Sequence, residues 1–534
     1  MSSLSPEAIL NRLEQLTQIG VSLSAERNSE RLLEIILLAA KTLTNADGGT
    51  LYRVKDSHLS FEIMRTDSLG IAMGGTTGVA IPFPPLPLYR DGVPNESLVV
   101  AYAVLHDQTV NIADAYTAEG FDFSGTRKFD QSTGYRSKSF LTIPMKNHEN
   151  EIIGVLQLLN SQDAASGEII PFSIEDQQFA EALASQAAIA LTNRLLIVQL
   201  EELFESFVKL INIAIDEKSP YTGGHCERVP QLTMMLADAA EADPEGDVAG
   251  FRLDDRTRYE LRIAALLHDC GKITTPVHVV DKATKLHTLY DRIHEIDCRF
   301  EVLKRDAEIA MLRAKLEGAG EEAEQACAER VRQLEDDREY LRKCNIGGEF
   351  MSPELQERVK SIAAYRWINE QGEDAPFLNE DETANLNIAK GTLTNEEREI
   401  INYHIVATIK MLEALPWPKH LQRVPEFAGG HHERMDGKGY PKGLTRDQMS
   451  VQARIMGIAD IFEALTAKDR PYKDGKKLSV ALNILGKMRL DNHVDPDLFN
   501  IFVREKVYLQ YAQAYLEPNQ IDEVDESKIP GYAA

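Results

Sequence analysis

Paired cysteines, long apolar runs and surplus basic charge are all scarce in this 534-residue chain. The five cysteines are scattered, odd in number and never spaced as CxxC. They give no disulfide framework, and a reducing cytoplasm is the expected location. No uninterrupted apolar run reaches about 18 residues, so no transmembrane helix is expected. The opening stretch MSSLSPEAILNRLEQL lacks the basic start and apolar core of a secretory signal. Lys and Arg number 58 against 84 Asp and Glu, a formal net charge of -26. That balance argues against nucleic acid or an anionic membrane as a partner, because both require a basic face. A small anionic ligand remains compatible, since metals and a few local Lys or Arg can hold it.

The rest of the composition is that of ordinary globular protein, 43% hydrophobic and 27% charged, in a chain long enough for two to four domains. Residues 1–197 read as α/β. Strand character is expected in GGTLYRV (48–54), ESLVVAYAVL (96–105), SFLTIPM (139–145) and EIIGVLQLLN (151–160), which are separated by turn-forming Gly, Pro and Asp. Helical patterns flank them, EAILNRLEQL before and SIEDQQFAEALASQAAIALTNRLL after, with Ser173 and Asp176 forming an N-terminal cap.

A long helix follows. Ile189, Asn193, Leu196, Leu200, Leu203, Phe207, Leu210 and Ala214 keep a 4-3 spacing, the mark of a coiled-coil seam, and Asn193 within it can set a parallel dimer in register. A helix packed on its own domain is the alternative. The connecting part spans 198–216, and beyond it the chain is mostly helical. In the charge-rich stretch 283–389, Ile293, Ile296, Phe300, Leu303, Ala307 and Ala310 form one stripe. EGAGEE breaks it, and Ala323, Cys327, Val331, Leu334 and Leu341 form a second, which predicts an antiparallel helical hairpin.

Chemistry gathers in a few places. ALLHDCGKITTP (265–276) holds adjacent His268 and Asp269. Adjacent helical residues point about 100° apart, so both reach one cluster only near a helix end or bend, which Gly271 is expected to supply. His225, His404, the pair His431–His432 in GGHHERMDGKGYP, and Asp460 in an otherwise apolar helix complete the set. A charge inside an apolar helix is costly unless it is paired or bound to metal. Several histidines and two aspartates in one helical region suit a divalent transition metal.

These residues carry two resemblances. The N-terminal half resembles a GAF domain, with helices packed on an antiparallel sheet. Asn160 followed by FSIED (172–176) is similar to the Asn-Lys/Phe-x3-Asp-Glu pattern of cyclic-nucleotide-binding GAF domains, with Ser161 and Gln177 in place of the Lys and Glu. That resemblance makes Asn160, Phe172 and Asp176 candidate ligand residues for a cyclic nucleotide; the alternative is that they brace the fold. The C-terminal half, over 217–282 and 390–516, resembles an HD-GYP domain in HDCGK, HHERMDGKGYP and ADIFEALTAKDRPYK. The fold class expected is therefore α+β multidomain: a GAF domain, a connecting helix, an all-α HD-GYP domain with 283–389 as an inserted hairpin, and a tail over 517–534.

The second resemblance implies a cyclic di-GMP phosphodiesterase with two divalent metals, most often Fe or Mn. It implies Asp269 as the bridging ligand, and His225, His268, His404, His431, His432 and Asp460 as further ligands. It implies Lys272 as the catalytic lysine, Arg470 and Lys473 as phosphate-holding groups, and Gly439, Tyr440 and Pro441 as the substrate-side loop. The pattern departs at the usual spacing after the HD pair, where Asp297 stands; His404 takes the role, with His294 as competitor. AKDRPY is one residue longer than usual. A third metal in the family uses an upstream carboxylate, but here Tyr221 stands there, with Asp216 and Glu217 further off, so two metals are expected. Expected products are pGpG or GMP. Cyclic GMP-AMP is the rival substrate, and a non-catalytic scaffold for a diguanylate cyclase or other regulator is the rival class. A homodimer through the GAF and connecting helices is the expected assembly.

Overall fold

The computed structural model describes residues 6–218, 224–243, 248–347, 350–468 and 475–533. Arg470, Lys473 and Tyr221 lie outside the described residues. The chain divides into two compact units, 1–204 and 205–534.

The first unit is built on one antiparallel sheet. Its strands run in the spatial order Ile71–Gly74, His58–Thr66, Ala46–Lys55, Ile152–Gln162, Phe140–Lys146 and Val110–Ile112. The two-residue alternation of a strand gives the sheet two apolar faces. On one face Leu51, Ile63, Leu141, Ile143, Leu156 and Leu158 meet the helix Ser29–Thr44, which turns Leu32, Leu33, Ile36, Leu37, Ala40 and Leu43 toward them at helical spacing. Ala180, Leu183, Ala184, Ala187 and Ala188 of the long helix close the same core. On the other face Tyr52, Leu59 and Val155 pack with Val100 and Ala101.

That second face explains one difference from the sequence reading. ESLVVAYAVL is not a strand: Val99–Leu105 is a helix, and Val99, Val100, Ala101 and Ala103 are buried. A short β-branched run can take either form, and packing over an already complete sheet face decides it. His58–Thr66, by contrast, is a strand that the sequence reading did not single out.

The helix Ile174–Lys218 runs unbroken for 45 residues. Its start is the expected cap: Asp176 N–H donates to Ser173 Oγ at 3.0 Å, and Ser173 N–H to Asp176 Oδ2 at 3.2 Å. By length and composition alone it is also apolar enough to cross a membrane. Part of that apolarity is accounted for by the alanines and leucine buried on the sheet. Along the seam Ile189, Leu196, Leu200, Leu203, Phe207 and Leu210 are exposed by 46–66%.

The second unit is largely helical. Its core draws on Ile455, Met456, Ile458 and Phe462 of helix Val451–Thr466 and on Phe427, Phe499, Phe502 and Tyr511. Between 283 and 389 the structure holds more than a hairpin. The helices Ile293–Leu316 and Glu321–Asn345 are antiparallel neighbours. Two further helices, Pro353–Ala363 and Glu380–Leu386, follow, with the strand pair Arg366–Ile368 and Asp374–Pro376 between them. They share a core of Phe300, Leu334, Leu341, Val359, Ile362, Phe377 and Leu386. The unit is therefore not purely helical, because the short strand pair escapes an argument made from helical stripes. Ala310 at the far end of the first stripe is exposed, so only its base is core.

Candidate metal centre

Helix Asp255–Leu267 starts on an Asp254 cap, whose carboxylate accepts from Thr257 N–H at 2.7 Å, and stops where the site begins. His268 caps its C-terminal end and Asp269 opens the turn Cys270–Thr274. The helix end separates the two side chains enough to serve one cluster. Gly271 has a different role from the expected one. A Cβ there would lie 2.0 Å from the carbonyl oxygen of His404 and 2.5 Å from Thr408 N, so the glycine permits a close backbone approach. Its own N–H donates to Thr408 Oγ1 at 2.9 Å. This contact brings helix Asn395–Glu413, and with it His404, against the His268–Asp269 segment.

The histidines are aimed by their Nδ1 atoms. His268 Nδ1 donates to Ala265 O at 2.7 Å, His404 Nδ1 to Ile401 O at 2.5 Å and His431 Nδ1 to Ala428 O at 2.6 Å. Each partner lies three residues back in the same helix or turn. His225 Nδ1 is held by the Glu463 carboxylate, which also accepts from Arg228 Nε at 2.7 Å. Such hydrogen bonds place the proton on Nδ1 and leave Nε2 with its lone pair facing inward.

Those lone pairs converge. His225 Nε2 lies 3.3 Å from His268 Nε2, 3.2 Å from Asp269 Oδ2 and 3.3 Å from Asp460 Oδ1. On the other side His404 Nε2 lies 3.2 Å from Asp269 Oδ1 and 3.1 Å from His432 Nε2. The donor atoms form two groups of four, Asp269 with His404, His431 and His432, and Asp269 with His225, His268 and Asp460. Asp269 belongs to both, one oxygen to each side.

The fit to cations follows from what is unsatisfied. Asp269 Oδ1 and His431 Nε2 are buried and have no hydrogen-bond partner among the described residues. Buried acceptors facing acceptors are unfavourable unless a positive charge lies between them. A divalent metal meets that need with this donor set. A proton on His225 Nε2 reaches Asp269 Oδ2 and Asp460 Oδ1, and leaves Asp269 Oδ1 and His431 Nε2 unmet. Burial pushes the His225 ring's pKa down, but hydrogen bonds to Asp269, Asp460 and Glu463 outweigh burial and hold it well above the usual histidine range. Burial, reinforced by the charge of His432 and His268, holds His431 well below that range, and burial brings His432 down to about 4, so both remain neutral donors. Lys272 Nζ lies 2.5 Å from Asp269 Oδ2.

The loop after His432 is knitted by a residue that sequence reasoning passed over. Glu433 is buried, and its carboxylate accepts Lys442 N–H at 2.7 Å and Leu444 N–H at 2.9 Å. A Cβ on Gly439 would come within 2.4 Å of Arg434 N. Tyr440 stacks on His432 with centroids 4.9 Å apart, and the Tyr440–Pro441 peptide is cis. Glu463 was passed over as well, although it is an acid in the same apolar helix that drew attention to Asp460.

Other candidates stand apart. His294 is exposed on its helix and belongs to neither donor group. Asp297 pairs with Arg338 at 2.9 Å and Arg342 at 2.8 Å, within the 283–389 segment. In the first unit the three nucleotide candidates are engaged by the fold. Asn160 accepts Lys138 N–H at 2.7 Å and donates to Arg136 O at 2.9 Å. Phe172 is core, and Asp176 caps its helix and pairs with Arg12 at 2.8 Å. All three make contacts that brace the fold.

The GAF domain model matches residues 28–191, and two HD domain models match 222–345 and 381–498. A GAF domain thus precedes an HD domain in this chain. A 3'3'-cGAMP-specific phosphodiesterase 1 of Vibrio cholerae is 42% identical over 90 residues, 17% of this chain and 20% of that protein. A cyclic di-GMP phosphodiesterase of Pseudomonas aeruginosa is 35% identical over 114 residues, 21% of this chain and 26% of that protein. The chain thus spans only 20% and 26% of the length of these relatives. Among solved structures, a GAF domain/HD domain protein from Geobacter sulfurreducens aligns at 15% identity and a TM-score of 0.23, over 33% of this chain and 98% of that one.

Proposed function

We propose that this chain is a metal-dependent phosphodiesterase that opens cyclic di-GMP, yielding pGpG or GMP, under control of its GAF domain. The observation that supports it most is the carboxylate of Asp269, shared between two four-donor groups. Two divalent cations held this way, iron or manganese in this reading, would supply Lewis acidity to a phosphodiester and lower the pKa of a water. His225, His268 and Asp460 hold one side, and His404, His431 and His432 the other.

The remaining steps belong to the chain. Burial works against the charge on Lys272, but Asp269 and Asp460 outweigh it and raise its pKa, so the side chain stays an ammonium. It is placed to neutralise charge gathering on the phosphoryl group, or to protonate the leaving 3′ oxygen. Arg470 and Lys473 bind the phosphates, which reconciles an acidic protein with an anionic substrate. Gly439, Tyr440 and Pro441 form the loop beside the substrate. Two metals are favoured over three. Seam residues of the long helix pair two copies, and the protein works in the cytoplasm.

The Vibrio relative favours a second reading, the same hydrolysis on cyclic GMP-AMP. The test is turnover by anaerobically purified protein loaded with Fe(II) or Mn(II), given each cyclic dinucleotide in turn beside Asp269→Ala. Release of pGpG or GMP that the variant lacks supports the first reading. Preference for cyclic GMP-AMP supports the second. Binding without turnover at full metal occupancy would move the protein to a scaffold for a diguanylate cyclase or other regulator.

A further inference from the structure

Within the helical unit the final stretch of the long helix, from Glu205 to Lys218, presents two faces. Val208, Asn212 and Ile215 are buried, at helical spacing. Phe207 and Leu210, on the seam, are 56% and 58% exposed. Both ends of this stretch are tied to the segment that supplies His268, Asp269 and Lys272. Glu205 Oε2 lies 3.4 Å from Arg262 Nη2, on the helix that ends at Leu267. Lys218 donates through Nζ to the carbonyl of Ile273 and, at 3.4 Å, to that of Lys272.

The second tie is unusual in its direction. A lysine in a last helical turn ordinarily serves the carbonyls of its own helix. This one serves two carbonyls of the turn Cys270–Thr274. The same Lys272 carbonyl also accepts Thr275 N–H at 3.1 Å, and the Asp269 carbonyl accepts Lys272 N–H at 2.9 Å. The ammonium therefore holds the peptide units that set where the Lys272 side chain departs, and Lys272 Nζ ends 2.5 Å from Asp269 Oδ2.

We infer that Lys218 is a positioning residue, whose ammonium fixes the Cys270–Thr274 turn and so places Lys272 against the shared carboxylate of Asp269. The end of the long helix then sets whether the site is competent, without itself touching substrate or cation. The activity arm of this inference rests on the proposed hydrolysis; the backbone arm does not.

The experiment compares the full-length protein with Lys218→Met, Lys218→Arg and the exposed control Lys209→Met. It reads amide hydrogen exchange over 270–275, metal content, and kcat and KM. A charged donor on a carbonyl is strong enough for its loss to lower kcat about tenfold. Expected for Lys218→Met is faster exchange confined to 270–275, unchanged metal content, kcat down by about that factor and KM unchanged. Lys218→Arg, which keeps a cationic donor, restores both readouts, and Lys209→Met changes neither. Exchange and kcat in Lys218→Met equal to wild type would overturn the inference, as would an arginine variant as impaired as the methionine one. A wild type that hydrolyses neither cyclic dinucleotide would defeat the functional reading and leave the exchange arm to decide this one.

Discussion

Asp269 Oδ1 and His404 Nε2 face each other at 3.2 Å, and neither has a proton to offer, because the imidazole proton is engaged on Nδ1 with Ile401 O. The contact is explicable as two ligands of one cation. Since Asp269 serves both donor groups, Asp269→Ala is expected to lower bound metal on both sides rather than one. Loss of two-metal assistance corresponds to about a thousandfold or more in turnover. Elemental analysis of the purified variant checks the metal, and two metals per chain retained would remove Asp269 from the bridging role.

Glu463 makes a narrower prediction. Its carboxylate holds His225 Nδ1 and Arg228 Nε and is itself fully buried. Glu463→Gln keeps the shape and loses the charge. Changes of this kind behind a ligand typically weaken metal affinity about 10–100-fold. The loss should fall on the group containing His225, while His404, His431 and His432 keep their cation. Titration with Mn(II), read as two binding events, distinguishes this from a uniform loss.

The contrast between Glu463 and Asp460 shows what the sequence makes legible. Both are acids in one apolar helix, but only Asp460 falls on a recognised pattern, and burial cost alone flags the two equally. The histidines are legible through residue type, several with two aspartates in one helical region, and through the pattern they resemble. Glu433 was not, because its work is done on the backbone amides of Lys442 and Leu444, which no side-chain pattern encodes. The helix Val99–Leu105 was misread for a related reason: which sheet face is free to receive it is a tertiary fact. The long helix is legible in the sequence as a cap at Ser173 and a 4-3 stripe from Ile189 to Ala214; that the two belong to one 45-residue helix is what the structure adds.

Gly271→Ala should be among the most damaging small changes in the protein. The added methyl would meet the backbone of His404 and Thr408 at 2.0 and 2.5 Å, atoms that cannot rotate away. Overpacking of this kind costs about 1–3 kcal/mol, and more where backbone must shift. A fall in melting temperature of several degrees with a loss of metal content is expected. A variant as stable as wild type would mean that the two segments are not in such close contact.

The seam predicts an assembly. Leu200 and Leu203 are 66% and 54% exposed and sit at core positions of the repeat. Leu200→Lys combined with Leu203→Lys places like charges across a parallel pair. Sedimentation should show a dimer for wild type and a monomer for the double variant, with both units still folded by circular dichroism. A monomeric wild type at tens of micromolar would leave the apolar stripe to some other partner.

Asp495 gives a pH dependence away from the metal ligands. It is buried, caps helix Pro496–Arg504 through Leu498 N–H at 3.1 Å, and accepts Arg446 Nε at 2.8 Å together with Arg454. Burial alone would raise its pKa, but the hydrogen bond from Arg446 and the charge of Arg454 outweigh burial and lower it. A carboxylate with a depressed folded pKa contributes its full stability above its unfolded value, about 3.9. That contribution is lost as pH falls below this value, through the folded pKa, because only the unfolded chain readily takes the proton. Neutral Asp495→Asn leaves two arginines facing a buried amide, and breaking a buried pair costs about 3–5 kcal/mol. Urea unfolding at pH 7 and at pH 3.5 should therefore show a gap between wild type and variant that is wide at pH 7 and narrower at pH 3.5. A gap of equal width at the two pH values would mean that the Asp495 pKa is the same in the folded and unfolded chain.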